Sequence, residues 1–172
     1  FEEGYRQYLD TIHLSVEEHR YMVEADLLRH SLTDALSDEI PSSADQSMIS
    51  WIILPEDRAE DVPKVTQGLE AGEEFADLAE EFSSDRTTAV NGGEVGWVPE
   101  YAYPSLDSTI SSLELGGVSG AVQAGTDTYF IKLNDTDEDR VIEPAMIDRL
   151  KAVALQIWLT NERGNHRISV CF

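Results

Sequence analysis

A chain of 172 residues with 41% hydrophobic side chains can bury one ordinary core, or divide into a compact domain and a smaller helical lobe. Lys and Arg total 12 against 34 Asp and Glu, a formal net charge of -22. So acidic a surface repels the phosphates of nucleic acid and of anionic lipid, which makes both poor candidate partners.

Lysine occurs only at positions 64, 132 and 151, so the acidity reflects missing lysine as well as added carboxylate; its plainest meaning is a solvated surface. Cys171 stands alone, which rules out an intramolecular disulfide, and its place near the end argues against a catalytic thiol. No apolar run approaches the ~20 residues that a membrane span requires. With Phe1 in place of Met, an excised soluble piece is expected.

In chain order, Phe1, Tyr5, Tyr8, Leu9 and Ile12 recur at helical spacing. Ser15 followed by Glu18 has capping-box form, so a second helix should open near Val16. Its apolar positions run through Val23, Leu27, Leu28, Leu32 and Leu36, and it should stop before Pro41, with Pro41-Ser42-Ser43 as a linker. Met48 to Leu54 is β-branched and aromatic, and reads as a buried strand.

Two helices follow, one with Val62, Val65 and Leu69 ending near Gly72, the next with Phe75, Leu78, Ala79 and Phe82. Asn91-Gly92-Gly93 forces a turn into a short strand over Glu94 to Val98. Pro104 starts a short helix with Leu106, Ile110 and Leu113, ended by Gly116-Gly117. Val118 to Val122 and Thr128 to Leu133 supply two further strands.

Asn134 to Arg140 reads as a polar linker, and Ile147, Leu150, Ala154, Ile157 and Trp158 predict an amphipathic helix with Gly164 as its C-cap. The tail alternates Ile168, Val170 and Phe172 with polar residues, as a strand with one buried face does. The expected organisation is a helical segment over 1–45, an α+β domain over 46–136 and a returning helix and strand over 137–172.

From Gly72 to Gly96 the text reads GEEFADLAEEFSSDRTTAVNGGEVG. It resembles the parvulin family of peptidyl-prolyl isomerases, in which G-x-x-F-x-x-L-A-x-x-[YF]-S-x-D precedes N-G-G-[DE]-[LV]-G-W. Leu113 to Ser119 is similar to the family's L-K-P-G-E-V-S, and Tyr129 to Leu133 to its H-I-I-K-V. Phe1 to Glu39 and Ala145 to Phe172 resemble helices of the SurA-like and PrsA-like chaperone module.

The resemblance implies a four-stranded, mainly antiparallel sheet with covering helices, inserted between helices of a SurA-like lobe. It also implies an exported, extracytoplasmic protein, secreted or anchored upstream, whose expected partners are unfolded or Pro-containing polypeptides, with a second copy in a homodimer as a further candidate. No phosphate loop and no Cys/His metal spacing appears in the sequence, so no cofactor and no metal is expected.

An X-Pro bond rotates over a barrier of ~18–20 kcal/mol without any bond being made or broken. A dry apolar pocket with a few polar groups aimed at the twisted carbonyl suffices to speed it. Aligned on the family, Trp51 and Tyr129 replace the two core histidines, while Asp85 keeps the position that is Cys or Asp in active relatives. Val95, Ala102 and Leu106 fall on the proline pocket, although the segment from Val98 to Leu106 is one residue shorter than the family's.

Trp51 and Tyr129 also suit plain core packing, and Asp85 after Ser83-Ser84 also suits a turn cap. His13, His19, His30 and His166 lie outside the resembling stretch, and His19 and His30 are too far apart on one helix to share a metal. Two functions stay open: an isomerase with weakened catalysis, and a holdase-type chaperone using the domain as a platform. A third, an acidic spacer, leaves the parvulin pattern unexplained.

Overall fold

The computed structural model describes residues 2–165. They form two compact units, one of residues 2–40 with the end of the last helix from Ala154, the other Pro41–Val153. The strand expected over 168–172 lies outside the described residues, as do His166 and Cys171.

In the helical unit, α1 (Glu2–Thr11) and α2 (Val16–Asp38) are joined by the expected capping box. The Ser15 hydroxyl accepts from the Glu18 backbone N–H at 3.2 Å, and the Ser15 backbone N–H donates to the Glu18 carboxylate at 2.8 Å. Leu9 is buried and His19 stacks edge-on against Tyr5 and Tyr8, with its Nδ1 at 2.8 Å from the Tyr5 hydroxyl. Along α2, however, Tyr21, Met22, Leu27 and Leu28 are more than half exposed.

The second unit is built on β1 (Ser43–Leu54), β2 (Glu94–Pro99), β3 (Val122–Ala124) and β4 (Asp127–Val141), in the order β2-β1-β4-β3 with every pair antiparallel. Alternate residues of a strand face opposite sides. Ile52, Leu54 and Phe130 therefore point to one side, where they bury against Val65, Phe75, Leu78 and Ala79 of α3 (Val62–Ala71) and α4 (Phe75–Phe82). Gly72, with φ of 82°, adopts the left-handed conformation that ends α3. Trp51, Ile53, Tyr129 and Ile131 point to the other side.

Four readings are corrected. Asn134 to Arg140 is no linker, because β4 runs on to Val141 and pairs with β1 as far as Ser43. That extension is charged and outward-facing, so no apolar alternation marks it; backbone pairing, the Gln46 amide bonded to the carbonyls of Arg140 and Val141, and the Arg140 guanidinium over the Trp97 ring hold it. The boundary expected at 136 thus falls inside a strand.

The strand expected over 118–122 begins only at Val122. Upstream, the Ser119 N–H donates to the Ile131 carbonyl and its hydroxyl accepts from the Ile131 N–H, so one side chain substitutes for a ladder partner. Helix α6 spans Asp107–Ser112, shorter than the Pro104 to Gly116 span expected. The final helix, α7 (Pro144–Asn165), passes through Gly164 without capping there.

Candidate active site

The motif F-S-S-D owes its spacing to one junction. The Ser83 hydroxyl, fully buried at the end of α4, accepts from the Ile53 N–H at 3.2 Å, and the Ser84 N–H donates to the Ile53 carbonyl at 2.8 Å. These bonds tie the chain to β1 and place Asp85 beside Trp51, two residues along the strand. On the other flank the Trp51 N–H donates to the Gly93 carbonyl at 2.9 Å, so the Asn-Gly-Gly turn holds the same residue from its backbone.

Trp51 is 8% exposed, and its indole Nε1–H donates to Asp85 Oδ2 at 3.0 Å and to the Thr88 hydroxyl at 3.2 Å. Thr88 in turn donates to the same Oδ2 at 2.8 Å, and Asp85 Oδ1 caps α5 (Arg86–Ala89) by accepting the Thr87 N–H at 3.1 Å. Asp85 is thus both a turn cap and a member of the polar cluster.

The Trp51 ring meets Tyr103 and Tyr129 edge-on, at centroid distances of 5.2 and 5.9 Å. The Arg149 guanidinium of α7 lies 3.7 Å over Tyr103, and its Nε donates to the Ala102 carbonyl at 2.7 Å. A helix remote in sequence therefore pins the loop that covers this face.

Asp85, Trp51 and Tyr129 are brought together, while the positions expected to line a proline pocket are distributed differently. Ala102 and Leu106 are buried at 0% and 2% exposure, beneath the loop that carries Tyr103. Val95 is the extra residue of a β-bulge, since Ser50 pairs with Glu94 and Ile49 with Gly96, and it is half-buried. Thr88, Tyr103 and Arg149 went unread in the sequence. Thr88, one turn beyond Asp85, carried a local signal; Arg149 carried none, because its partner is a backbone carbonyl 47 residues away.

Burial opposes ionisation of Asp85, but the bonds from Trp51, Thr88 and the Thr87 backbone outweigh it and hold the carboxyl below its ordinary value. Burial pushes the phenols of Tyr103 and Tyr129 upward. At neutral pH the cluster is one carboxylate, two un-ionised phenols and the Arg149 cation.

A depressed folded-state value stabilises the fold above the unfolded aspartate value of about 3.9 and is lost as pH falls through the lower folded value. The Trp51 indole N–H resonance should therefore shift with a midpoint below that of an unperturbed aspartate, and Asp85→Asn should abolish the transition. A midpoint at or above the ordinary value would remove the bonded carboxylate from this account.

The sheet order β2-β1-β4-β3, helices on one face and an aromatic and carboxylate cluster on the other define a parvulin-type domain. Residues 56–137 match the family described as the PPIC-type PPIase domain. Residues 56–137 are thus similar to a PPIC-type PPIase domain, and the curated relatives that match the chain include PrsA- and SurA-type foldases.

It is 41% identical over 80 residues to the foldase protein PrsA of Oceanobacillus iheyensis, covering 46% of this chain and 27% of that protein. It is 29% identical over 99 residues to the chaperone SurA of Chromohalobacter salexigens, covering 57% of this chain and 23% of that protein. The chain thus spans about a quarter of the length of these curated relatives. The crystal structure of the peptidylprolyl isomerase PrsA from Bacillus anthracis matches with a TM-score of 0.56 at 17% identity, covering 99% of this chain and 84% of that one, which is likeness of fold.

Proposed function

We propose that this chain is part of an extracytoplasmic folding factor that binds exported polypeptides and isomerises their X-Pro bonds with weakened turnover. The observation that carries the reading is the single engagement of the Trp51 indole N–H with both Asp85 and Thr88. Where the family places a hydrogen-bonded histidine pair, this site has a large donor-only ring whose one proton is already committed. The face keeps its apolar character, so a proline ring can still be desolvated there, while fewer polar groups remain to follow the twisting carbonyl.

Likeness to PrsA and SurA supports the extracytoplasmic setting, and no described helix is long and apolar enough to cross a membrane. One observation favours a second reading, a holdase without turnover: the exposed Tyr21, Met22, Leu27 and Leu28 of α2 offer apolar surface to unfolded segments, or to a second copy in a homodimer.

A protease-free isomerase assay on the whole chain decides between them. We expect measurable acceleration, with kcat/KM at least about tenfold below that of an intact parvulin, the cost of roughly 1.4 kcal/mol or more of transition-state fit. Turnover equal to an intact parvulin would overturn the weakened site, and none above the uncatalysed rate would leave the holdase.

A further inference from the structure

Between β2 and α6 the chain makes a loop, Glu100 to Leu106, that brings Tyr103 against Trp51. Its backbone is not relaxed. Tyr101 holds φ of 68°, a left-handed conformation that is costly for any residue but glycine and persists only where surrounding contacts fix it. Most of those contacts are local. The Ala102 N–H donates to the Pro99 carbonyl at 3.2 Å, the Leu106 N–H donates to the Tyr103 carbonyl at 2.7 Å, and the Asp107 carboxyl accepts from the Tyr101 and Tyr103 backbone. These bonds shape the loop, but none of them reaches beyond residues 99–107.

Arg149, in the first half of α7, makes the contact from outside. Its Nε donates to the Ala102 carbonyl at 2.7 Å while its guanidinium carbon lies 3.7 Å from the centre of the Tyr103 ring. Ala102 is wholly buried, and among the described residues this is the one hydrogen bond that its carbonyl accepts. Without Arg149 that carbonyl either stays buried with no donor, at the full cost of its desolvation, or the loop must open far enough to admit water. No carboxylate of the described residues lies within ion-pair distance of Arg149, so the loop rather than a salt bridge determines where the guanidinium sits.

The effect reaches the site through Tyr103. That ring meets Trp51 edge-on at 5.2 Å and so forms one wall of the apolar face on which a proline ring would be desolvated. Arg149 itself lies outside residues 56–137, the part of the chain that matches the family.

We infer that Arg149 is a positioning residue of this site: by holding the Ala102 carbonyl and the Tyr103 ring together, it sets the wall against which a client's proline packs. The site is thereby completed by a helix from beyond the parvulin-like segment. Lysine is an incomplete substitute, because its ammonium is a single point of charge and does not donate to a carbonyl while covering a ring face with a planar group. The inference rests on the reading above in which the aromatic face takes proline.

The test uses the whole chain with Arg149→Met, which keeps an unbranched side chain without the donors or the charge, and with Arg149→Lys. The probes are a short extended peptide containing one X-Pro bond and the same peptide with alanine in place of proline. Arg149→Met should weaken the proline peptide about tenfold and leave the alanine peptide unchanged, while Arg149→Lys should stay within about threefold of the parent. In the isomerase assay the loss should fall on KM rather than kcat, as removal of uniform binding does. The Tyr103 ring resonances should move in Arg149→Met, while the Trp51 indole N–H keeps its Asp85-bonded position.

Equal weakening of both peptides would show a general loosening and overturn the inference. Unmoved Tyr103 rings would overturn it too, as would an effect on kcat alone, which would put Arg149 on the twisting carbonyl instead. Arg149→Lys carries the same comparison if Arg149→Met fails to fold. Equal affinity of the parent chain for the two peptides counts against the proline reading itself, and the Tyr103 rings then decide for Arg149 separately: moved rings keep it as the residue that holds the loop, and unmoved rings remove it.

Discussion

Replacing Trp51 and Tyr129 together by His will raise kcat/KM for X-Pro isomerisation at least about tenfold over the parent chain, and more than the two single replacements combined. Each polar group regained at a site of this kind is worth ~1–3 kcal/mol of transition-state fit, and each 1.36 kcal/mol is tenfold in rate. The two positions lie on one face of adjacent strands, because Trp51 opposes Ile131 while Tyr129 opposes Ile53, and their rings are 5.9 Å apart. Neighbours at that distance do not act additively. One histidine alone faces an aromatic ring where it needs a partner.

The replacement has a structural cost. Trp51 is 8% exposed, and truncating a buried Trp to Ala costs about 3–5 kcal/mol, so the smaller imidazole will give up part of that. Urea denaturation of each variant separates stability from rate. Trp51→Phe, which keeps most of the ring volume but removes the Nε1–H, should release Asp85 and Thr88 without any gain in turnover. A folded double variant no faster than the parent would show that lost histidines are not what limits this site.

How much of this was legible depends on the range of the interaction concerned. Strand β1 could be read from Met48 to Leu54 because that short stretch is rich in β-branched and aromatic residues and is broken only by Ser50. Asp85 and Trp51 were legible as positions in a motif, but the bond between them was not, since it depends on Ser83 fastening the end of α4 to Ile53. The strand from Asp135 to Val141 escaped because its side chains face outward and are charged, while the forces that hold it are backbone pairing and Gln46. Arg149 and Gln46 matter through backbone carbonyls, and a carbonyl has no letter in a sequence.

Glycine in the Asn91-Gly92-Gly93 turn is a stricter case, and substitution there will have the largest effect on folding. Gly93 has φ of 81°, where an L side chain costs ~1–2 kcal/mol, and a Cβ there would collide with the Trp51 carbonyl oxygen and meet the Ala79 Cβ at 3.1 Å. Both neighbours are fixed, one in the central strand and one in a helix packed on it, so overpacking adds ~1–3 kcal/mol. Gly93→Ala should therefore cost about 2–5 kcal/mol in urea unfolding. Because the Gly93 carbonyl accepts the Trp51 N–H at 2.9 Å, it should also move the Trp51 indole resonance away from its bonded position. Gly72→Ala is the control: its φ of 82° carries the same backbone cost, but open space surrounds the new methyl. That variant should lose only about 1–2 kcal/mol and leave the Trp51 resonance in place. Equal losses in the two variants, with Trp51 unmoved in both, would mean that Gly93 is needed for its backbone conformation alone and that the tight approach to the site strand is not what fixes Trp51 against Asp85.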